Sequence, residues 1–154
     1  MQLYLIRHAD AVDSSPDAER PLSARGREQV RTLAKFLGRS DAFAPREIWH
    51  SSLVRARETA ELLVRGLKSR PPCRPTAGLE PEADPQLVAR KAGSLMNDIA
   101  LVGHQPHLGL LASFLVAGTI ARPVVVMKKC TVLALEREGS NWVVRWQLAR
   151  ELLE

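Results

Sequence analysis

The chain has 154 residues, 45% hydrophobic and 25% charged, with 9 Gly and 10 Pro. This balance can bury a core, so it excludes a wholly disordered, collagen-like or low-complexity chain, and the length suits one domain, residues 1–154. The net charge of +5 is spread along the chain, and aromatics are only 5%, so no nucleic-acid partner is expected; an anionic ligand or an acidic protein partner fits better.

Leu3-Tyr4-Leu5-Ile6 is an apolar run that reads as a strand buried on both faces of a parallel sheet, and it delivers Arg7-His8-Ala9-Asp10 at its end. It is too short to be the apolar part of a signal peptide. A polar loop from Asp13 to Asp17 leads to Pro21-Leu22. Ser23 is placed to cap a helix with Val30, Leu33, Ala34 and Leu37 on one face and Gly38 at its end.

Glu47 to His50 predicts a second strand. Ser51-Ser52 is then expected to cap a helix that turns Leu53, Ala56, Ala60 and Leu63 inward and closes at Gly66. The Pro-rich stretch Ser69 to Pro75 reads as a surface connection. A weaker helix is expected around Gln86 to Met96, with Leu87, Val88, Leu95 and Met96 as its apolar residues.

Ile99 to Val102 predicts a third buried strand, ending in Gly103-His104-Gln105-Pro106. Pro106 suits a first helical turn, with Leu108, Leu111, Ala112 and Leu115 continuing an apolar face. The apolar stretch from Leu108 to Ala121 is too short and too interrupted to span a bilayer, so no membrane partner is expected. Thr131 to Glu136 and Trp142 to Leu148, joined by Glu138-Gly139-Ser140-Asn141, predict a hairpin. The alternation implies a three-layer α/β/α sandwich with a mixed, mostly parallel sheet. Cys73 and Cys130 have no ligand spacing and no disulfide framework, which points to a reducing, cytoplasmic setting and to no metal or other cofactor.

Arg7-His8, Ser51 to Arg55, and His104 all follow strand ends, where open α/β sheets bind ligands. Two imidazoles with two guanidiniums describe a phosphate site. A neutral His can attack phosphorus, and the arginines can neutralise the transition state without a metal. Asp10 or a backbone carbonyl would fix the tautomer of the attacking ring. Asp10 and Ser14 are candidates to line the pocket. His50 reads as structural, His107 as structural or on the rim, and Lys128-Lys129 as a solvated strand end or a contact for an acidic partner.

Four segments carry a resemblance. Arg7-His8-Ala9-Asp10 looks like the Arg-His-Gly signature of the histidine phosphatase (phosphoglycerate mutase-like) superfamily, with Ala9 in the Gly position. Pro21-Leu22-Ser23-Ala24-Arg25-Gly26 resembles its Leu-Thr-x-x-Gly segment. Ser51 to Ala60 resembles its Ser-Pro-Leu-x-Arg-Ala-x-Gln-Thr-Ala segment, with Ser52 for Pro and Glu58 for Gln. Val102-Gly103-His104-Gln105-Pro106 resembles its Val-Gly-His-x-Pro segment. The Arg-His-Ala-Asp opening, the small size and the tail from Asn141 to Gln147 are further similar to the SixA-like branch, the phosphohistidine phosphatases.

That resemblance implies a phosphoglycerate mutase-like fold, His8 as nucleophile, Arg7 and Arg55 on the phosphoryl oxygens, and His104 on them from the opposite side. It implies hydrolysis of phosphohistidine on a phosphorylated protein, and a monomer is expected. The alternatives are a phosphomonoesterase acting on a small phosphate ester and a phosphate-binding module without turnover. The lid that carries the proton donor in larger relatives is short here; Glu80 is the candidate, with Glu82 and Asp84 beside it.

Overall fold

A computed structural model describes residues 1–154. The apolar run Leu3 to Ile6 lies within strand β1, Gln2–Arg7, and is buried on both faces. Along it the side chains alternate: Tyr4 and Ile6 enter one core, Leu3 and Leu5 the other. Helices cover both faces because both are apolar.

The first core is closed by helix α1, Ala24–Leu37, and helix α2, Val54–Gly66, through Val30, Leu33, Ala34, Ala56, Ala60 and Leu63. The second is closed by helix α3, Pro85–Ser94, and helix α4, His107–Ala117, through Val88, Ala92, Leu108 and Leu111. Each fully buried aliphatic side chain contributes about 1.5–3 kcal/mol by leaving water. The remaining strands are β2, Glu47–His50; β3, Cys73–Pro75; β4, Ile99–Gly103; β5, Val132–Glu138; and β6, Asn141–Leu148. The six strands run in the order β3-β2-β4-β1-β5-β6. β3, β2, β4 and β1 are parallel neighbours, while β5 and β6 pair antiparallel at one side, which gives the expected mixed sandwich.

Sequence periodicity places α1 well: the Ser23 hydroxyl accepts from the Gly26 N–H and Gly38 is the C-cap. The hairpin is also as expected, with Gly139 at φ 62° in its turn. Other elements differ. The stretch from Ser69 to Pro75 includes β3, which pairs with β2 at the sheet edge; its three residues are too few for a periodicity to show. The N-cap of α2 is Leu53, not Ser51 or Ser52; the Ser51 hydroxyl accepts from the Leu53 N–H at 3.2 Å and also meets His104 Nε2. Gly66 is the last residue of α2 and lies against Ala34, where a Cβ would come within 2.4 Å of the Ala34 Cβ. In α3 the buried face is Val88, Ala89 and Ala92, with Leu87 48% exposed; the helix ends at Ser94, so Leu95 and Met96, expected on it, lie beyond its end and Met96 is 81% exposed.

Candidate active site

β1, β4 and β2 are adjacent and parallel, so their C-terminal ends bring His8, His104 and Ser51 to one edge of the sheet. The chain after β1 is tied down on both sides. His8 donates its backbone N–H to Gly103 at 3.0 Å, and the Cys130 N–H reaches the carbonyls of Arg7 and His8.

The His8 ring lies with Nδ1 2.7 Å from the Ala9 carbonyl oxygen. A carbonyl only accepts, so Nδ1 carries the proton and Nε2 keeps its lone pair. The ring is 7% exposed. Burial pushes its pKa down to about 4, with the charges of Arg55, Arg7 and Lys129 acting in the same direction and the Ala9 bond opposing them. Its tautomer is therefore set by the Ala9 carbonyl. The Asp10 carboxylate does not do this, because it is committed elsewhere: Oδ2 accepts from the Ser23 hydroxyl at 2.7 Å and Oδ1 from Lys129 at 2.8 Å. The Lys129 hydrogen bond, with help from Ser23, holds Asp10 below the usual carboxylate range.

His104 lies with its ring centroid 5.0 Å from that of His8. Its Nε2 is 2.6 Å from Ser51 Oγ, while Nδ1 is buried and has no partner. Burial, then the neighbouring His8 and Arg55, lowers its pKa to about 3. Arg55, in the first turn of α2, donates from Nη1 to the Asp17 carbonyl at 2.9 Å and from Nη2 to Asp17 Oδ2 at 3.2 Å. Arg7 donates from Nη1 to the Met127 carbonyl at 2.9 Å, and burial lowers its pKa. The Nε atoms of both arginines are buried without a partner. A neutral imidazole between two guanidiniums and a ring nitrogen in search of a partner can hold and attack a tetrahedral anion.

Thr59 clasps this arrangement: its hydroxyl donates to the Arg55 carbonyl at 2.7 Å and accepts from the Ala9 N–H at 3.1 Å. Asp17 and Thr59 escape the sequence reading as members of the site, and Ser51, within the stretch expected there, has no role in it beyond capping. Asp17 reads as loop. Ser14 is exposed on the loop before the short 3-10 turn Asp17–Glu19. Glu80 is half-buried and accepts from the Gly78 N–H at 2.9 Å. Glu82 is exposed, and Asp84 is spent as the cap of α3. His50 is buried with Nδ1 on the Ser51 carbonyl. His107 is fully buried, inside the fold and not on a rim. Lys128 and Lys129 lie in the loop before β5 and not at a strand end: Lys128 is exposed and meets Glu151, and Lys129 pairs with Asp10. Nowhere do three His, Cys, Asp or Glu side chains gather into a group that could hold a metal ion.

A sequence model described as histidine phosphatase superfamily (branch 1) matches residues 3–80, which include Arg7, His8, Arg55 and Glu80. The chain belongs to the histidine phosphatase superfamily. Within it the chain is similar to the phosphohistidine phosphatase SixA of Escherichia coli (strain K12), at 26% identity over 97% of this chain and 94% of that one. The structure of the protein histidine phosphatase SixA complexed with tungstate superposes with a TM-score of 0.90, at 23% identity, over 100% of both chains. The alpha-ribazole phosphatase from Shigella flexneri superposes with a TM-score of 0.75, at 21% identity, over 97% of both. The chain is thus a phosphatase of the histidine phosphatase superfamily, in its SixA-like branch. No helix is long and apolar enough to cross a membrane.

Proposed function

We propose that this protein is a phosphohistidine phosphatase that works through a covalent phospho-His8 intermediate and needs no metal. The observation that carries the reading is the 2.7 Å bond from His8 Nδ1 to the Ala9 carbonyl. It leaves a neutral Nε2 on a ring whose burial keeps protons off. The similarity to SixA supports a phosphohistidine substrate on a protein.

In the first step the Nε2 lone pair of His8 attacks phosphorus. The P–N bond to the substrate ring breaks, its electron pair stays on the departing nitrogen, and the ring, protonated at its other nitrogen, leaves as neutral imidazole. Arg7 and Arg55 hold the equatorial oxygens, and their charge offsets that of the transition state. With the Ser51 hydroxyl donating to His104 Nε2, His104 Nδ1 is the N–H that donates to the phosphoryl group from the other side. In the second step water attacks phosphorus, the Nε2–P bond breaks, its electron pair returns to His8 Nε2, and inorganic phosphate leaves with the water oxygen and its protons, which it shares with solvent. Imidazole is a better leaving group than an alkoxide, so the first step needs no strong positioned acid.

A second reading, hydrolysis of a small phosphate ester, is favoured by the placement of Glu80. The preceding Leu79 carbonyl lies beside Gly103, immediately before His104, so Glu80 is near the same sheet edge. Phosphate release from a phosphohistidine peptide in EDTA, by wild type and not by His8→Ala, with a phosphorylated protein captured on rapid quench, is the expected result. Failure of wild type on that peptide together with turnover of an alkyl phosphate would overturn the phosphohistidine assignment.

A further inference from the structure

We infer that a cationic cleft beside the phosphoryl site receives carboxylates of the protein that carries the phosphohistidine. This rests on the phosphohistidine reading above. The cleft, about 330 Å³, is bounded by the start of α1, the loop before β5 and the C-terminal turn, and Arg7 opens into it. Its lining has no apolar side chain: five cations, among them Arg25, Lys128, Lys129 and Arg150, face two carboxylates, Asp10 and Glu151. The formal excess is three positive charges.

Arg7 serves the phosphoryl site and Arg150 pairs with Glu154, so what is left for a partner rests on Arg25 and on the loosely held Lys128. Lys129 is committed to Asp10 at 2.8 Å, and Lys128 meets Glu151 at 3.3 Å with its side chain 70% exposed. Exposed pairs of the second kind are worth at most about 1 kcal/mol and exchange partners readily. Arg25 makes no ion pair, and its charge reaches Asp10 only through space. Beyond Arg25 and Arg150 the surface turns to Glu28 of α1 and the C-terminal Glu154, which end the positive stretch, so the complementary carboxylates must lie close to the phosphoryl group.

A macromolecular occupant suits this surface better than a metabolite. The cations stand on separate exposed segments around an open polar cleft instead of converging on one enclosed point. Just before Lys128, the loop presents Val124 and Val126, which are 37% and 73% exposed. Apolar side chains flanked by rim charges suit contact with a protein surface. Charges at such a rim steer a partner and set its register.

The test uses two phosphohistidine peptides of equal length, one with Asp and Glu flanking the phosphohistidine and one with Ser and Gln instead, and p-nitrophenyl phosphate as a small substrate. Wild type should show a KM roughly tenfold lower for the acidic peptide, and the preference should shrink with added salt. Arg25→Glu and Lys128→Glu should each reduce the preference and leave kcat/KM on p-nitrophenyl phosphate unchanged. Arg65→Glu, which changes net charge equally at the far end of α2, should keep it. Equal KM values for the two peptides would overturn the inference while leaving the phosphohistidine reading intact. A loss on p-nitrophenyl phosphate as large as that on the acidic peptide would also overturn it, because the cations would then serve the phosphoryl group itself. Hydrolysis of neither peptide would overturn both.

Discussion

Asp17 binds Arg55 at both of its terminal nitrogens, through its backbone carbonyl at 2.9 Å and its carboxylate Oδ2 at 3.2 Å. The Arg55 side chain is 7% exposed and that of Asp17 63%, so a loop residue on the surface orients a buried guanidinium. Removing the carboxylate leaves the carbonyl contact in place. Asp17→Ala should therefore raise KM by roughly three- to tenfold, with a smaller effect on kcat. Asp17→Asn should recover most of the loss, because its amide oxygen still accepts from Nη2. Steady-state kinetics of the two variants on a phosphohistidine peptide check this.

Ser51→Ala removes the partner of His104 Nε2 in a fully buried setting. The ring then loses the bond that sets its tautomer, and kcat should fall about 10- to 100-fold. Thermal unfolding should change less than activity, since the small hydroxyl leaves little void. A variant with wild-type kcat would remove Ser51 from the site.

The two site imidazoles also make stability depend on pH. Their folded pKa values, about 4 for His8 and about 3 for His104, lie below the ordinary 6.5. The unfolded chain thus binds more protons below pH 6.5. Stability is fully present above pH 6.5 and is lost as pH falls through the interval down to about 3. The combined loss is on the order of a few kcal/mol. Asp10 and Asp17, held below 3.8 by their hydrogen bonds, add further losses as pH falls below about 3.8. Urea titrations at pH 7, 5.5 and 4 should show the decline, and His8→Phe should flatten part of it.

Gly26 is required by close approach. A Cβ there would lie 2.0 Å from the Asp10 carbonyl oxygen, a backbone atom that cannot swing away. Gly26→Ala should cost about 2–4 kcal/mol and displace the chain after His8. Gly93, in α3, has nothing within 4 Å of its Cβ position. Gly93→Ala should be neutral or stabilise by about 0.5–1 kcal/mol. Denaturation midpoints of the two variants test both signs.

Glu80→Gln separates the two substrate classes. Release from phosphohistidine should be unchanged, because imidazole leaves without a strong acid. Hydrolysis of an alkyl phosphate, if it occurs, should fall about 100-fold. Equal loss on both substrates would make Glu80 a general participant.

Much of this protein was legible in its sequence. The apolar runs at Leu3 to Ile6 and Ile99 to Val102 specify buried parallel strands, since only a sheet covered on both faces hides every residue of such a run. The strands in turn deliver Arg7, His8 and His104 to the ligand edge, and the four family segments place Arg55 beside them. What the sequence alone could not decide was which of several nearby polar groups holds each of these. Asp10 and a backbone carbonyl were both open as the partner of His8; the Ala9 carbonyl has that place, and Asp10 is taken by Ser23 and Lys129. Ser51 looked like a helix cap, but its hydroxyl meets His104, which follows the neighbouring parallel strand. Asp17 is separated from Arg55 by 38 residues and Lys129 from Asp10 by 119. Periodicity reports a residue's relation to its own strand or helix, whereas these bonds are set by the sheet order and loop paths that bring separate segments together, and that is a property of the tertiary structure.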